Sequence, residues 1–422
     1  MMNTELRILT KRNSLLFISF FSLYLGYMLG NRLLVCFGFG LLFLLFFTWH
    51  AAHNFFHEFK ASRNHYPRTF EEAELRIAIR LVPGTKIPIY MLEVVDIFPP
   101  GDSWHVRALV PVRLDTSSGV ELEYSAICTR RRGIYVLGPL EITASDPLGI
   151  HVRKMELPVI TDLLVYPKAP VLSLYEVLGD GTLSHVGMET LLRPGHSEEF
   201  TSLREYHEGD NPRRIHWPSS ARHERFLIKE FREEITTEVS LILDMHRLAL
   251  SGLGDVTSIE YIIKAAAAVA QIAIDKSHLV QLFALSDKMQ HVPPEGGNQH
   301  LITILDRLTL LRPRGDGHFE DGLEEVMPYL KSGSTAILIA AASNIHAEKI
   351  SPIVRQLMNR RIKIMIILVD DRSFIKFWKD QEEHMKRATP IAELKEVLSR
   401  EGCSLFLVAK GDDVALKLQM PV

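Results

Sequence analysis

The chain has 422 residues, 23% of them charged, and a formal net charge of −3. That length holds two or three domains, and a balance so near neutrality offers no global field for a polyanion, which excludes nucleic acid as the main partner. The cysteines, Cys36, Cys128 and Cys403, stand far apart with no CxxC spacing. Neither a disulfide framework nor a zinc knuckle is suggested, and a reduced compartment fits best.

The amino-terminal part, residues 1–60, reads as a short tail and two transmembrane helices. "SLLFISFFSLYLGYMLG" (14–30) and "LLVCFGFGLLFLLFFTW" (33–49) each run for about 17 residues without a charge. Only Asn31 and Arg32 separate them, so a hairpin is expected; a signal peptide would end in a small-residue cleavage site, not in a second apolar run. Arg7, Lys11 and Arg12 precede the first run and Lys60, Arg63 and Arg68 follow the second, while the turn carries Arg32 alone. The positive-inside rule then places both termini and the body in the cytoplasm, with Trp49 in the interfacial belt. His50, His53 and His57 share a face if the second helix continues. Metal ligation is one reading of them, and a juxtamembrane helix lying at headgroup depth is the favoured one.

Residues 70–168 alternate apolar and polar side chains, with turn residues every 8 to 12 positions, which predicts an antiparallel β-sandwich. Residues 169–235 are read as a connector, including the Gly-rich "GDGTLSHVG", followed by a charged clasp, "LREYHEGDNPRRIHWPSSARHERFLIKEF" (203–231). In the clasp nearly every arginine has an acid within a few residues. That argues for internal pairing and against a phosphate site. Ile215 and Trp217 are expected to face one side and bury against the following domain. The residues assigned to this structural or interaction motif are Arg204, Glu205, Tyr206, Gly209, Asp210, Arg213, Arg214, Trp217, Ser220 and Arg222.

From 236 to 422, continuous β-branched runs such as "VSLILDM", "STAILIAA" and "KIMIILVD" alternate with amphipathic helical segments. This predicts a doubly wound α/β domain whose ligands sit beyond the carboxyl ends of its strands. Asp244 closes the first strand and is the one weak metal candidate. His246 and Leu248 follow where hydroxyl ligands are wanted, and the loop "RPRGDGHFEDG" has no threonine, so no metal is assigned. No GxSxG, no phosphate-binding Gly loop and no other catalytic motif occurs. Neither catalysis nor a cofactor is expected.

"RRGIYVLGPLEITASDPLGI" followed by "VYP", then "GHSEEFTSLREYHEGDNPRRIHWPSSARHERFLIKEFREE" and "LILDM", resemble the bacterial membrane proteins grouped as the domain of unknown function 58 family. The resemblance implies a von Willebrand factor A-like fold for the carboxyl domain. It also implies a role as an adaptor working with a MoxR-type AAA+ ATPase in a chaperone-like or envelope-related assembly at the inner (cytoplasmic) membrane. That A-type fold often holds a divalent ion through an Asp-x-Ser-x-Ser run. Asp244 matches its Asp, but His246 and Leu248 stand for the serines, which leaves protein binding without metal. The expected architecture is thus a membrane α-hairpin, an antiparallel β-sandwich and a doubly wound, von Willebrand factor A-like α/β domain. The alternative function is a hydrolase using Glu205, Asp210 and His216 of the clasp; a third is a sensor taking a ligand in the sandwich.

Overall fold

The computed structural model describes residues 2–54, 59–84, 92–110, 119–145, 150, 152–168, 200–207, 212–223, 225–231, 237–374 and 388–418. The chain forms two compact units, Met1–Tyr166 and Pro167–Val422.

The first unit opens with two helices, α1 (Met2–Met28) and α2 (Arg32–Asn54). Asn31 breaks them apart and caps α2, its Oδ1 accepting the Leu33 N–H at 3.0 Å. The two helices pack on each other with an inverted polarity. Phe17, Phe21, Tyr24, Phe43, Phe46 and Phe47 are all more than half exposed, whereas Ser19 and Ser22 are buried. The Ser19 hydroxyl donates to the Gly38 carbonyl at 2.8 Å and the Ser22 hydroxyl to the Leu34 carbonyl at 2.9 Å. A β-carbon on Gly38 would stand 2.6 Å from Leu23, so the seam requires glycine there. Spin labels at Lys11 and Trp49 should report the consequence: Gly38→Leu is expected to widen the hairpin by about 2 Å, the spread that side-chain size imposes on helix separations. An unchanged distance would show that Gly38 does not set the approach.

Ten strands follow: β1 (Phe59–His65), β2 (Arg68–Phe70), β3 (Glu74–Pro83), β4 (Leu92–Ile97), β5 (His105–Val110), β6 (Val120–Ile127), β7 (Gly133–Leu137), β8 (Leu140–Ser145), β9 (Val152–Leu157) and β10 (Thr161–Tyr166). They form sheets ordered β1-β3-β6, β2-β10-β7 and β5-β4-β8-β9. One core, with Ile77, Leu81, Val94, Leu137, Ile142 and Val165 among its members, takes side chains from all three. The expected antiparallel pairing holds except at β2, which lies parallel to β10. Strands also begin before residue 70. The run "FKASRNH" of β1 hides its inward face because the side chain it buries at position 63 is an arginine.

That arginine joins the sheets. The Arg63 guanidinium pairs with Asp96 of β4, its Nε donating to Oδ2 at 3.1 Å. Its Nη1 donates to the Leu137 and Val159 carbonyls, both at 3.0 Å, and to the Thr161 hydroxyl at 3.1 Å. Tyr124 of β6 completes the node by donating to Asp96 Oδ2 at 2.6 Å. Arg63 therefore serves the β core and is not a free flanking charge at the end of α2. His50 stacks on Phe46 within α2, while the side chain of His53 and all of His57 lie outside the described residues.

In the second unit, residues 169–199 of the connector lie outside the described residues. The charged segment folds as an antiparallel pair, β11 (Phe200–Glu205) and β12 (Leu227–Phe231), linked through a 3-10 turn (Pro212–Arg214) and helix α3 (Trp217–His223).

The remainder alternates strands and helices: β13 (Glu238–Asp244), the short ribbon β14 (Gly252–Leu253) and β15 (Val256–Thr257), α4 (Ser258–Asp275), β16 (Leu279–Leu285), β17 (Gln290–Glu295), α5 (Asn298–Leu310), α6 (Phe319–Val326), β18 (Thr335–Ala341), α7 (Ala347–Asn359), β19 (Lys363–Val369), α8 (Ile391–Arg400), β20 (Ser404–Val408) and α9 (Val414–Lys417). Six strands make one sheet in the order β17-β16-β13-β18-β19-β20. All neighbours are parallel except the edge pair β16 and β17. β17 was not legible as a strand because Pro293 and Pro294 break its pattern; prolines are tolerated on an edge, where no partner needs their N–H.

Period two splits the other strands between two faces. Ile242, Phe283, Leu338 and Ile366 pack with Phe319, Leu323, Ile350, Val354 and Leu394 of α6, α7 and α8. The Ala-rich α4 covers the opposite face and is buried along nearly its whole length. Both faces are thus closed, as continuous apolar strands require.

Candidate functional site

The chain leaves β13 through α4 to reach β16 on one side, then returns to place β18 on the other side of β13. The switch point therefore lies beyond the carboxyl ends of β13 and β18, where an open α/β sheet forms its crevice.

Asp244 ends β13 there and is fully buried. Its Oδ1 accepts the His246 N–H at 3.2 Å and faces His246 Nδ1 at 2.9 Å; its Oδ2 accepts from Asn344 Nδ2 at 2.9 Å. Both oxygens are engaged by protein donors, so Asp244 ties the switch point shut and a metal would have to displace its partners. Leu248 lies in the 3-10 turn Arg247–Ala249 and offers no side-chain oxygen. A His–Asp pair is a general-base arrangement in other settings, but His246 is buried under the loop that carries Gly317, where a β-carbon would stand 3.0 Å from His246 Nε2. That loop is laced to the end of β13 by Arg314 N–H to the Met245 carbonyl and Arg247 N–H to the Gly315 carbonyl, each 2.9 Å.

The next strand end repeats the device. Asp371, after β19, accepts the Ser343 N–H at 3.1 Å and also the Ser343 hydroxyl. Burial pushes the Asp371 carboxyl up to about 6, against the opposing pull of those Ser343 hydrogen bonds.

A third group lies on the α6–α7 side. His318 precedes α6 and His346 precedes α7, and their rings meet edge to face with centroids 4.7 Å apart. Between them Glu320, buried, accepts the His346 N–H through Oε1, which also lies 3.3 Å from His346 Nδ1. One ligand atom from each of the three residues falls within 4.8 Å of the others.

Sequence reasoning missed Ser343, Asn344, Asp371 and this trio. The loop "RPRGDGHFEDG" has no threonine, but its His and Glu are the groups with chemistry; the signal is a histidine immediately before each of two helices that start at the same sheet edge.

The charged segment is wired internally. Ser220 is buried, donates to the His216 carbonyl at 3.0 Å and accepts the Leu227 N–H at 2.9 Å, fastening α3 to β12. Tyr206 N–H reaches the Phe226 carbonyl at 2.9 Å. Glu205 pairs with Arg225, both exposed, which is worth little to stability. Arg204 donates to the Glu205 carbonyl at 3.0 Å. Arg213 and Arg222 are exposed, while Gly209, Asp210 and the Arg214 side chain lie outside the described residues.

Trp217 does not bury as expected. It is 62% exposed and meets Phe226, itself 57% exposed, edge to face; Ile215 is half-buried and bridges Ile228. At the helix start beside it, His216 Nδ1 accepts the Ser219 N–H at 3.3 Å and caps α3. Among the described residues no hydrogen bond joins Glu205 to His216, and Asp210, the other acid of the hydrolase reading, lies outside them. On the β unit, His65, Arg76, Glu123 and Tyr124 line a groove over the β1-β3-β6 face.

No match is found among curated proteins. Solved structures with partial likeness include the CARDB domain of the PF1109 protein from Pyrococcus furiosus, 12% identical, spanning 26% of this chain and 92% of that one with a TM-score of 0.19. Another is proximal thread matrix protein 1 from the mussel byssus, 10% identical, spanning 44% of this chain and 46% of that one with a TM-score of 0.28. Likenesses this distant carry nothing about chemistry. A family model described as protein of unknown function DUF58 matches residues 202–341, from the charged segment through β18, so over that stretch the chain is similar to this family.

Proposed function

We propose that this protein is a membrane-anchored adaptor whose charged segment docks a protein partner, a MoxR-type AAA+ ATPase being the partner implied by the resemblance to the domain of unknown function 58 family. The observation that carries the docking role is the outward pair Trp217 and Phe226, flanked by the exposed Arg213, Arg222 and Arg225. Exposed tryptophan and arginine around a small apolar patch are the composition of an interface hot spot, and an internal brace has no use for them there.

The anchor reading is supported by the inverted hairpin. Phenylalanines turned outward over a seam of serine and glycine suit lipid, where small residues bring helices together and hydroxyls bond across them. Helix α2 is long and apolar enough to cross a bilayer by length and composition. A von Willebrand factor A-like character for the α/β domain, and an inner-membrane location with the body in the cytoplasm, complete the proposal. The first is what the resemblance implies, and the βα alternation agrees with it; the second rests on the charge asymmetry of Lys11, Arg12, Lys60 and Arg68 against Arg32.

The full chain, purified in detergent, should co-purify with the MoxR-type ATPase of the same genome, and Trp217→Ala with Phe226→Ala should weaken the association at least about tenfold, as loss of interface anchors does. The same double variant should leave the melting temperature unchanged, because both rings are exposed. Absence of association with and without ATP would remove the adaptor role.

A further inference from the structure

We propose that His318, Glu320 and His346 form a binding site for a divalent transition-metal ion, zinc fitting best, on the α6–α7 side of the sheet's carboxyl edge. The donor set comes first. Two imidazoles and one carboxylate suit zinc and its neighbours, whereas magnesium and calcium take oxygen ligands.

The geometry comes second: the three ligand atoms lie within 4.8 Å of one another. A tetrahedral zinc ion with bonds of about 2.0–2.1 Å holds its ligand atoms about 3.3 Å apart, a gap that side-chain rotation closes.

The third observation is independent of both. Glu320 is 1% exposed, and its Oε2 is buried with no hydrogen-bond partner. A carboxylate oxygen left so is costly, and a cation between the two rings relieves it while Oε1 keeps its bond to the His346 N–H. Nothing comparable holds at Asp244, where protein donors take both oxygens.

His318 and His346 are only half-buried, so solvent reaches the edge of the cluster and the fourth ligand can be water or a side chain from another protein. The site does not depend on the adaptor reading. The positive ends of α6 and α7 work against a bare cation, so affinity has to rest on the charge of Glu320. Glu320→Gln isolates that term, since the amide oxygen still accepts the His346 N–H.

The experiment uses the full chain in detergent without a polyhistidine tag, stripped with a chelator and titrated calorimetrically with zinc chloride, with Co²⁺ as the optical probe. One Zn²⁺ per chain at micromolar affinity or tighter is expected, with a loss of at least about 10- to 100-fold in His318→Ala, His346→Ala and Glu320→Gln, losses that even outer-shell changes reach. Co²⁺ should give visible ligand-field bands that His346→Ala abolishes, and millimolar Mg²⁺ should not displace zinc. Wild-type affinity in Glu320→Gln, one retained Zn²⁺ in the His318→Ala/His346→Ala double variant, or displacement by Mg²⁺ would each overturn the site.

Discussion

Replacing Arg63 by alanine is expected to destabilise the β unit by about 3–5 kcal/mol, the cost of breaking a buried ion pair from one side. The change strands more than a charge. Asp96 is 1% exposed and would lose its guanidinium, while the Leu137 and Val159 carbonyls and the Thr161 hydroxyl would lose a shared donor. Lysine is no rescue, since one ammonium lacks the planar fork that reaches Asp96 and these three oxygens together. Tyr124 cannot compensate: burial first, then the Asp96 charge and hydrogen bond, push its hydroxyl well above the ordinary tyrosine range, so it stays a neutral donor. Arg63→Met with Asp96→Leu and Tyr124→Phe should recover most of the loss, because a buried pair replaced as a whole by apolar groups of similar volume is often neutral. Hydrogen exchange of β1, β4 and β10 in the full chain measures both. If Arg63→Ala leaves their protection unchanged, the node does not hold the three sheets together.

The same residue shows what the sequence could and could not disclose. A positive charge soon after an apolar helix reads as a topology signal because the counting rule uses charge alone. Its real partners, Asp96 and Thr161, are 33 and 98 residues away and nothing local marks them. The α/β alternation was legible because the five parallel strands of that sheet run almost continuously apolar and are covered on both faces, so composition alone reports burial. Trp217 differs for the converse reason: a tryptophan is usually placed inside, and nothing local in the sequence marks the exposed start of α3 on which it stands. His318, Glu320 and His346 are not legible from Asp244 and its expected hydroxyl ligands, because they belong to the starts of two later helices. The trio is assembled by two helix starts, with Glu320 and His346 26 residues apart.

Asp371→Asn is expected to stabilise the α/β unit at pH 7.5 and to do little at pH 4. The carboxyl's ordinary value of 3.8 is raised to about 6, mainly by burial. The folded state therefore prefers the protonated acid: well below pH 4 both states are neutral, and as pH rises through about 4 towards about 6 the unfolded chain ionises first. Stability falls through that window by about 3 kcal/mol at about 1.4 kcal/mol per pKa unit, and the loss is complete above it. Asparagine keeps an acceptor for the Ser343 N–H and carries no charge to bury. It does disturb the bond from the Ser343 hydroxyl, a fixed cost of about 1 kcal/mol at any pH. The informative quantity is the difference between the two pH values, about 2.4 kcal/mol because about 0.6 kcal/mol is already lost at pH 4, and in it the fixed cost cancels. Hydrogen exchange of the β18 and β19 amides, corrected for intrinsic rates, reads it, because those strands are central in the sheet and exchange with the opening of the unit. Equal effects of the substitution at pH 4 and pH 7.5 would mean that burial of the Asp371 charge does not govern this strand end. The sign expected makes Asp371 a liability to stability at neutral pH, tolerated because its hydrogen bonds with Ser343 fix the loop that also delivers Asn344 to Asp244.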